Sequence, residues 1–104
     1  MKIDIKPGNY VVAVSGGVDS MVLLDLLRLH PHAQVIVAHF DHGIRPDSHL
    51  DREFVQHKAQ IYHLPFVYDR AELGPGASEA KAREARYAFL HKARAAAAAD
   101  AVVT

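Results

Sequence analysis

Six consecutive residues, Ser15-Gly16-Gly17-Val18-Asp19-Ser20, carry the strongest chemical signal in the chain. Paired glycines let the backbone approach a ligand closely and take up angles that side chains disfavour. Their N–H groups can form a concave anion site. A helix starting behind them would add further donors and about half a unit of positive charge. Ser15 and Ser20 can donate hydroxyl hydrogen bonds, so a phosphate is the ligand this set suits. The plainer reading is a glycine turn followed by a Ser/Asp helix cap. The string is neither a Walker A loop, which needs Gly-Lys-Ser/Thr, nor a GxGxxG fingerprint.

Two other groups of residues could join that chemistry. His39, Asp41, His42 and Arg45 follow one another closely within Ala38 to Arg45. A nucleotide-contacting loop, a structural loop and a metal site at His39-x-x-His42 with Asp41 all remain open, although two further well-placed metal ligands are not evident. Arg83 and Arg86 are three residues apart, which puts them on one face if the segment is helical. They are either solvated partners of Glu79 or Glu84, or cations for a bound anion. His30, His32, His49, His57, His63 and His91 are scattered and receive no role.

These groups need elements to hold them. Tyr10 to Val14 is a short apolar run with β-branched residues, as in a strand buried on both faces. Asp19 or Ser20 can cap the helix after the glycines, with Val22, Leu23, Leu26 and Leu27 as its apolar face and His30-Pro31 as its end. Gln34 to His39 reads as a second strand, and Phe40 to Asp47 as a loop. A helix follows from Ser48 to about Tyr62, with Phe54, Val55, Ala59 and Ile61 available to the core. A third strand begins at Pro65. Gly74 to Ala77 is a loop, Ser78 or Glu79 opens an Ala-rich helix reaching about Ala99, and Ala101-Val102-Val103 starts a fourth strand. The alternation β-α-β-α-β-α-β predicts a doubly wound parallel α/β sheet with helices on both faces. In such sheets ligands bind beyond the C-terminal strand ends, where Ser15–Ser20 and His39–Arg45 both fall.

The totals narrow the function classes. The 104 residues make at most one domain, and the abrupt stop in an apolar run reads as a sheet truncated at its fourth strand. Lys plus Arg equals Asp plus Glu at 12 each, so the general basic field of many nucleic-acid binders is absent. There is no cysteine, which excludes disulfides and thiolate metal sites. No apolar run approaches the ~20 residues of a membrane helix, and nothing at the N-terminus resembles a signal peptide. A cytoplasmic protein with no membrane partner is expected.

Ser15–Ser20 in its strand–loop–helix setting matches the pyrophosphate loop of the PP-loop ATP pyrophosphatase superfamily. Ala38-His39-Phe40-Asp41-His42-Gly43-Ile44-Arg45, then Ser48 and Asp51, then Ala82-Arg83-Glu84-Ala85-Arg86-Tyr87-Ala88-Phe89-Leu90, occur in the order and spacing of the tRNA(Ile)-lysidine synthetase family. The chain resembles that family over about Tyr10 to Thr104, as the N-terminal portion (residues 1–104) of a PP-loop ATP-binding domain. The resemblance implies an adenine-nucleotide α-hydrolase-like fold, ATP and Mg²⁺ as cofactors, and tRNA(Ile) and free L-lysine as substrates; an oligomer is compatible with it. It implies that Ser15, Gly16, Gly17, Val18, Asp19 and Ser20, with His39, Asp41, His42 and Arg45, contact the nucleotide. Asp19 and Arg86 are the implied catalytic residues, with Asp19 either contacting Mg²⁺ or bracing the loop. A His-containing segment with paired aspartates is expected beyond Thr104, so the 104 residues alone are not expected to catalyse. Another PP-loop activity, tRNA thiolation or amide formation, and a non-catalytic nucleotide-binding module are the alternatives.

Overall fold

The computed structural model describes residues 6–43, 46–71, 76 and 78–104. Seven elements alternate as expected: β1 (Gly8–Ala13), α1 (Val18–Arg28), β2 (Ala33–Asp41), α2 (Ser48–Ile61), β3 (Phe66–Arg70), α3 (Glu79–Ala96) and β4 (Ala101–Val103). All strand pairs are parallel, in the order β3-β2-β1-β4. The chain moves outward from β1 to β2 to β3, then returns through α3 to place β4 on the other side of β1. The change of direction makes β1 the switch point of the sheet, where such folds open a crevice.

Alternation along the strands builds two cores. Tyr10, Val12 and Val14, with Val35 and Val37, pack against Leu24 and Leu27 of α1 and Val55 and Ala59 of α2. Val11 and Ala38 point the other way, against Phe89 and Leu90 of α3. A strand apolar on both faces is what a sheet covered on both sides requires. Burying a side chain such as Leu24 contributes about 1.5–3 kcal/mol.

Several boundaries and faces differ from the expectation. The α1 N-cap is Gly17, with no side-chain cap hydrogen bond, so neither Asp19 nor Ser20 caps the helix. The α1 core residue the pattern missed is Leu24, fully buried, whereas Val22 is 46% exposed. Phe54 and Ile61 also face solvent, while Val55 and Ala59 are buried. Strand β2 continues through Phe40 and Asp41, two residues past the end the apolar run predicts. Helix α3 stops at Ala96 instead of Ala99.

The ends of α2 and α3 share a device. His63 and Ala98 adopt positive φ (56° and 51°). Leu64 N–H donates to Ala59 C=O at 2.9 Å, and Ala99 N–H to Arg94 C=O at 3.0 Å. These are Schellman turns made without glycine. The start of α3 is conventional, because Ser78 Oγ accepts from Lys81 N–H at 3.2 Å.

Candidate functional site

The site is built at the C-terminal ends of β1 and β2. Leaving β1, the chain turns through Gly16, whose φ is +99°. Only glycine adopts such an angle without strain. Gly17 has φ −74° and ψ 164°, an extended conformation open to any residue. The two glycines therefore differ in purpose. A Cβ on Gly16 would face α2, 3.6 Å from Val55 and 3.7 Å from Asp51, while a Cβ on Gly17 would meet only Ser15 Oγ at 3.5 Å. The first permits the turn, and the second leaves space around the loop.

The serines hold the turn closed on itself. Ser15 N–H donates to Ser20 Oγ at 3.2 Å, and the two hydroxyls lie 3.1 Å apart. Ser20 Oγ donates to Gly17 C=O at 3.0 Å, and Gly17 N–H reaches Ser15 Oγ at 3.3 Å. Met21 N–H takes up the first helical bond, to Gly17 C=O. Ser15, Val18 and Asp19 stay exposed, with Asp19 in the first turn of α1. The result is a polar, solvent-facing loop at a helix N-terminus, the arrangement that receives phosphate oxygens.

Beside it, the end of β2 is buried. His39 is 3% and Asp41 2% exposed. His39 Nδ1 donates to Val14 C=O at 2.8 Å, joining the last residues of β2 to the entrance of the loop. Asp41 Oδ1 accepts from Gly43 N–H at 3.0 Å, and Arg70 Nε lies 3.7 Å from Oδ2. Among the described residues Oδ2 accepts no hydrogen bond. Burial pushes the Asp41 carboxyl up; the Ser48 hydroxyl, the Gly43 N–H and the Arg70 charge outweigh it and hold the group below the ordinary carboxylate range.

Three clefts meet here, and Ser15 and Phe40 line all of them. The first, about 400 Å³, lies at the switch point between Val14, Ser15, Asp19 and Ser20 on one side and Arg86, Leu90 and Thr104 on the other. The second, about 350 Å³, runs behind the loop along Gly16, Gly17, His39, Asp41, His42, Ser48 and Asp51. The third, about 700 Å³, opens toward the start of α3, with His42, Glu79, Arg83, Arg86 and Tyr87. Arg86 separates the first from the third, and its Nε is buried without a hydrogen-bond partner. The Arg83 and Arg86 guanidinium carbons lie 5.4 and 5.3 Å from the centre of the Tyr87 ring. A hydrogen bond from Arg86 and the Arg83 charge lower the Tyr87 phenol from its ordinary value.

The structure thus gathers Ser15, Gly16, Gly17, Asp19, Ser20, His39, Asp41, His42 and Arg86 around connected clefts. Val18 belongs to the loop, but its side chain is 79% exposed. Arg45 lies outside the described residues. Sequence reasoning gave no role to Phe40, which lines every cleft, because it placed that residue in a loop. The signal was the apolar run itself: extending β2 by two residues puts Phe40 at the strand end. Among the described residues no three His, Asp or Glu side chains converge on one point, and no helix is long and apolar enough to cross a membrane.

Comparison with known proteins agrees with this architecture. The chain is 46% identical over 100 residues to the tRNA(Ile)-lysidine synthase of Thermus thermophilus, covering 90% of this chain and 20% of that protein. It is 44% identical over 96 residues to the tRNA(Ile)-lysidine synthase of Lactobacillus johnsonii, covering 86% of this chain and 22% of that protein. The chain therefore spans about a fifth of the length of these relatives. Among solved structures, the U34-tRNA thiolase NcsA of Methanococcus maripaludis superposes with a TM-score of 0.76 over 94% of this chain and 38% of that one. At 16% identity that likeness concerns the fold. The family model described as the PP-loop domain matches residues 2–104, and with the parallel sheet and the Ser15–Ser20 turn in place, the chain belongs to the PP-loop domain family.

Proposed function

We propose that the chain is the ATP-binding part of an enzyme that converts the wobble cytidine of tRNA(Ile) to lysidine. The observation that carries this is the Ser15–Ser20 turn, a polar loop at a helix N-terminus placed on the switch point of a parallel sheet. The similarity to lysidine synthases over about nine-tenths of the chain supports the choice of reaction.

In this reading the triphosphate lies along the first cleft with its β and γ phosphates in the loop. The cytidine O2 attacks the α-phosphorus, the bond from that phosphorus to the β-phosphate bridge breaks, and pyrophosphate departs. Backbone N–H groups fixed by the serine bonds stabilise charge as it grows on the leaving group. Arg86, whose buried Nε has no other hydrogen-bond partner, supplies a second, cationic donor across the cleft. The ε-amine of lysine then forms the new C–N bond at C2, AMP leaves with the oxygen, and the nitrogen loses a proton.

Magnesium fits the site as an ion carried by the phosphates. Such an ion takes one or two carboxylates and fills its remaining positions with phosphate oxygens and water. Asp19, on the wall of the first cleft, is the carboxylate available for that. Bound there, the ion would neutralise charge on the phosphates.

Gly17→Val is the direct test. The substitution suits the backbone angle at that position and adds bulk in open space beside the loop. ATP affinity measured by calorimetry should fall at least tenfold, about 1.4 kcal/mol, while the melting temperature holds. Unchanged affinity would remove the loop from the phosphate site.

A further inference from the structure

A single peptide unit joins β1 to the glycine turn, and it is gripped at both ends. Pairing between β1 and β2 ends with Ala13 opposite Ala38. One further bond follows, from Val14 N–H to Ala38 C=O at 2.9 Å. The next polar group along β1 is the Val14 carbonyl, and a side chain takes it: His39 Nδ1–H donates at 2.8 Å. That carbonyl shares a planar, trans peptide with the Ser15 N–H, so the two groups point in opposite directions from one rigid plane. At the far end, the Ser15 N–H donates to Ser20 Oγ at 3.2 Å.

The plane carries the position of β2 outward to the loop. Ser20 Oγ, which accepts from Ser15, gives its own hydrogen to Gly17 C=O at 3.0 Å. Gly17 C=O also accepts the first helical bond of α1, from Met21 N–H at 3.1 Å. A continuous run of bonds therefore leads from a histidine only 3% exposed to the exposed residues of the turn. With the imidazole removed, the peptide is free to rotate about the soft dihedrals on either side of it. Its N–H then swings away from Ser20, and the donors of the turn lose their common orientation.

We propose that His39 is a positioning residue for the phosphate loop, fixing the Val14–Ser15 peptide through Nδ1 and making no contact with the nucleotide. The inference rests on the reading of Ser15–Ser20 as the phosphate site. It gives His39 a different part from the nucleotide contact that the family resemblance implies. The two parts use different ring atoms, which makes them separable. Asparagine carries its amide nitrogen about where histidine carries Nδ1, whereas glutamine, one methylene longer, carries it near Nε2.

The test is calorimetric titration of the chain and its variants with inorganic pyrophosphate. His39→Asn should bind as the parent does. His39→Gln should bind about fivefold more weakly, ~1 kcal/mol, the worth of one hydrogen bond. In a Ser20→Ala background, where the other end of the peptide is already released, His39→Gln should cost clearly less than it does alone. Melting temperatures read folding separately, and His39→Ala takes the place of the glutamine variant should that one not fold. Retained binding in His39→Gln with loss in His39→Asn would show Nε2 on the ligand and overturn the proposal. Equal binding by the two variants, or losses that simply add to that of Ser20→Ala, would overturn it as well. Gly17→Val keeps the two levels apart. If it leaves pyrophosphate affinity unchanged, the phosphate site itself is misplaced; if it lowers the affinity and His39→Gln does not, only the role of His39 falls.

Discussion

The loop after β1 and the end of β2 line the same cleft yet are built in opposite ways. Ser15 to Ser20 is polar, mostly exposed, and braced by short-range hydroxyl bonds among its own residues. His39 and Asp41 are buried and tied to other segments, one to Val14, the other to Gly43 and Arg70. One region keeps its donors on the surface, where a ligand can compete for them. The other spends its polar groups fixing where the first region stands. Substitutions should divide accordingly: those at the strand end act mainly on stability, and those in the loop mainly on binding.

The largest effect should come from Asp41→Ala. It leaves the Gly43 N–H without its acceptor and removes the carboxylate facing Arg70. A loss of about 2–3 kcal/mol of unfolding free energy in urea titration is expected. The dependence on acid should change too. Because the folded state depresses the Asp41 pKa, its ionisation stabilises the fold above the unfolded value of about 3.9. That contribution fades as pH falls from there through the lower folded value. The alanine variant should therefore lose stability less steeply below about pH 4. A variant as stable as the parent would show that the buried carboxylate positions nothing.

Gly16→Ala comes next and blurs the division in an instructive way. Its Cβ has room, but the φ of +99° is strained for alanine. Stability should drop by about 1–2 kcal/mol and ATP affinity with it, whereas Gly17→Val should spare stability. If both glycine variants melt alike, the contrast between the two positions fails. Arg86→Ala should leave melting nearly unchanged and reduce ATP affinity or turnover at least tenfold, about 1.4 kcal/mol. Normal behaviour of Arg86→Ala alongside a defective Arg83→Ala would shift the role to the neighbouring arginine. Ser20→Ala should be mildest for the fold, at about 1 kcal/mol or less. It removes a hydroxyl that both accepts from Ser15 N–H and donates to Gly17 C=O. Its sharper signature is a loop that binds pyrophosphate more weakly.

The order of elements was legible because the strands are short apolar runs and the glycines fall where a strand must turn into a helix. The loop was legible for the same reason: its chemistry sits in six contiguous residues. Helix faces were harder to read. Val22, Leu23, Leu24, Leu26 and Leu27 crowd the middle of α1, so more than one apolar stripe satisfies the helical period, and the contact with β1 and β2 decides for Leu24 and Leu27. In α2 two stripes exist, and the sequence supplied Phe54 and Ile61 from one and Val55 and Ala59 from the other. The end of α3 escaped because Ala98 takes the left-handed angle where glycine is the usual sign, whereas α2 ends at Ile61, beside the expected Tyr62. The clefts depend on contacts between residues as distant as Ser15 and Arg86, which no local pattern records.

The bond from His39 to Val14 also gives the molecule a built-in reporter. A carbonyl oxygen can only accept, so the δ nitrogen must carry the hydrogen, and a neutral ring must then leave its ε nitrogen bare. Free histidine favours the opposite arrangement. In a ¹⁵N spectrum this ring should stand apart from the surface imidazoles of His49, His57 and His91. Because the bond spans the gap between β2 and the mouth of the glycine turn, that resonance would register movement of the loop without any label being introduced.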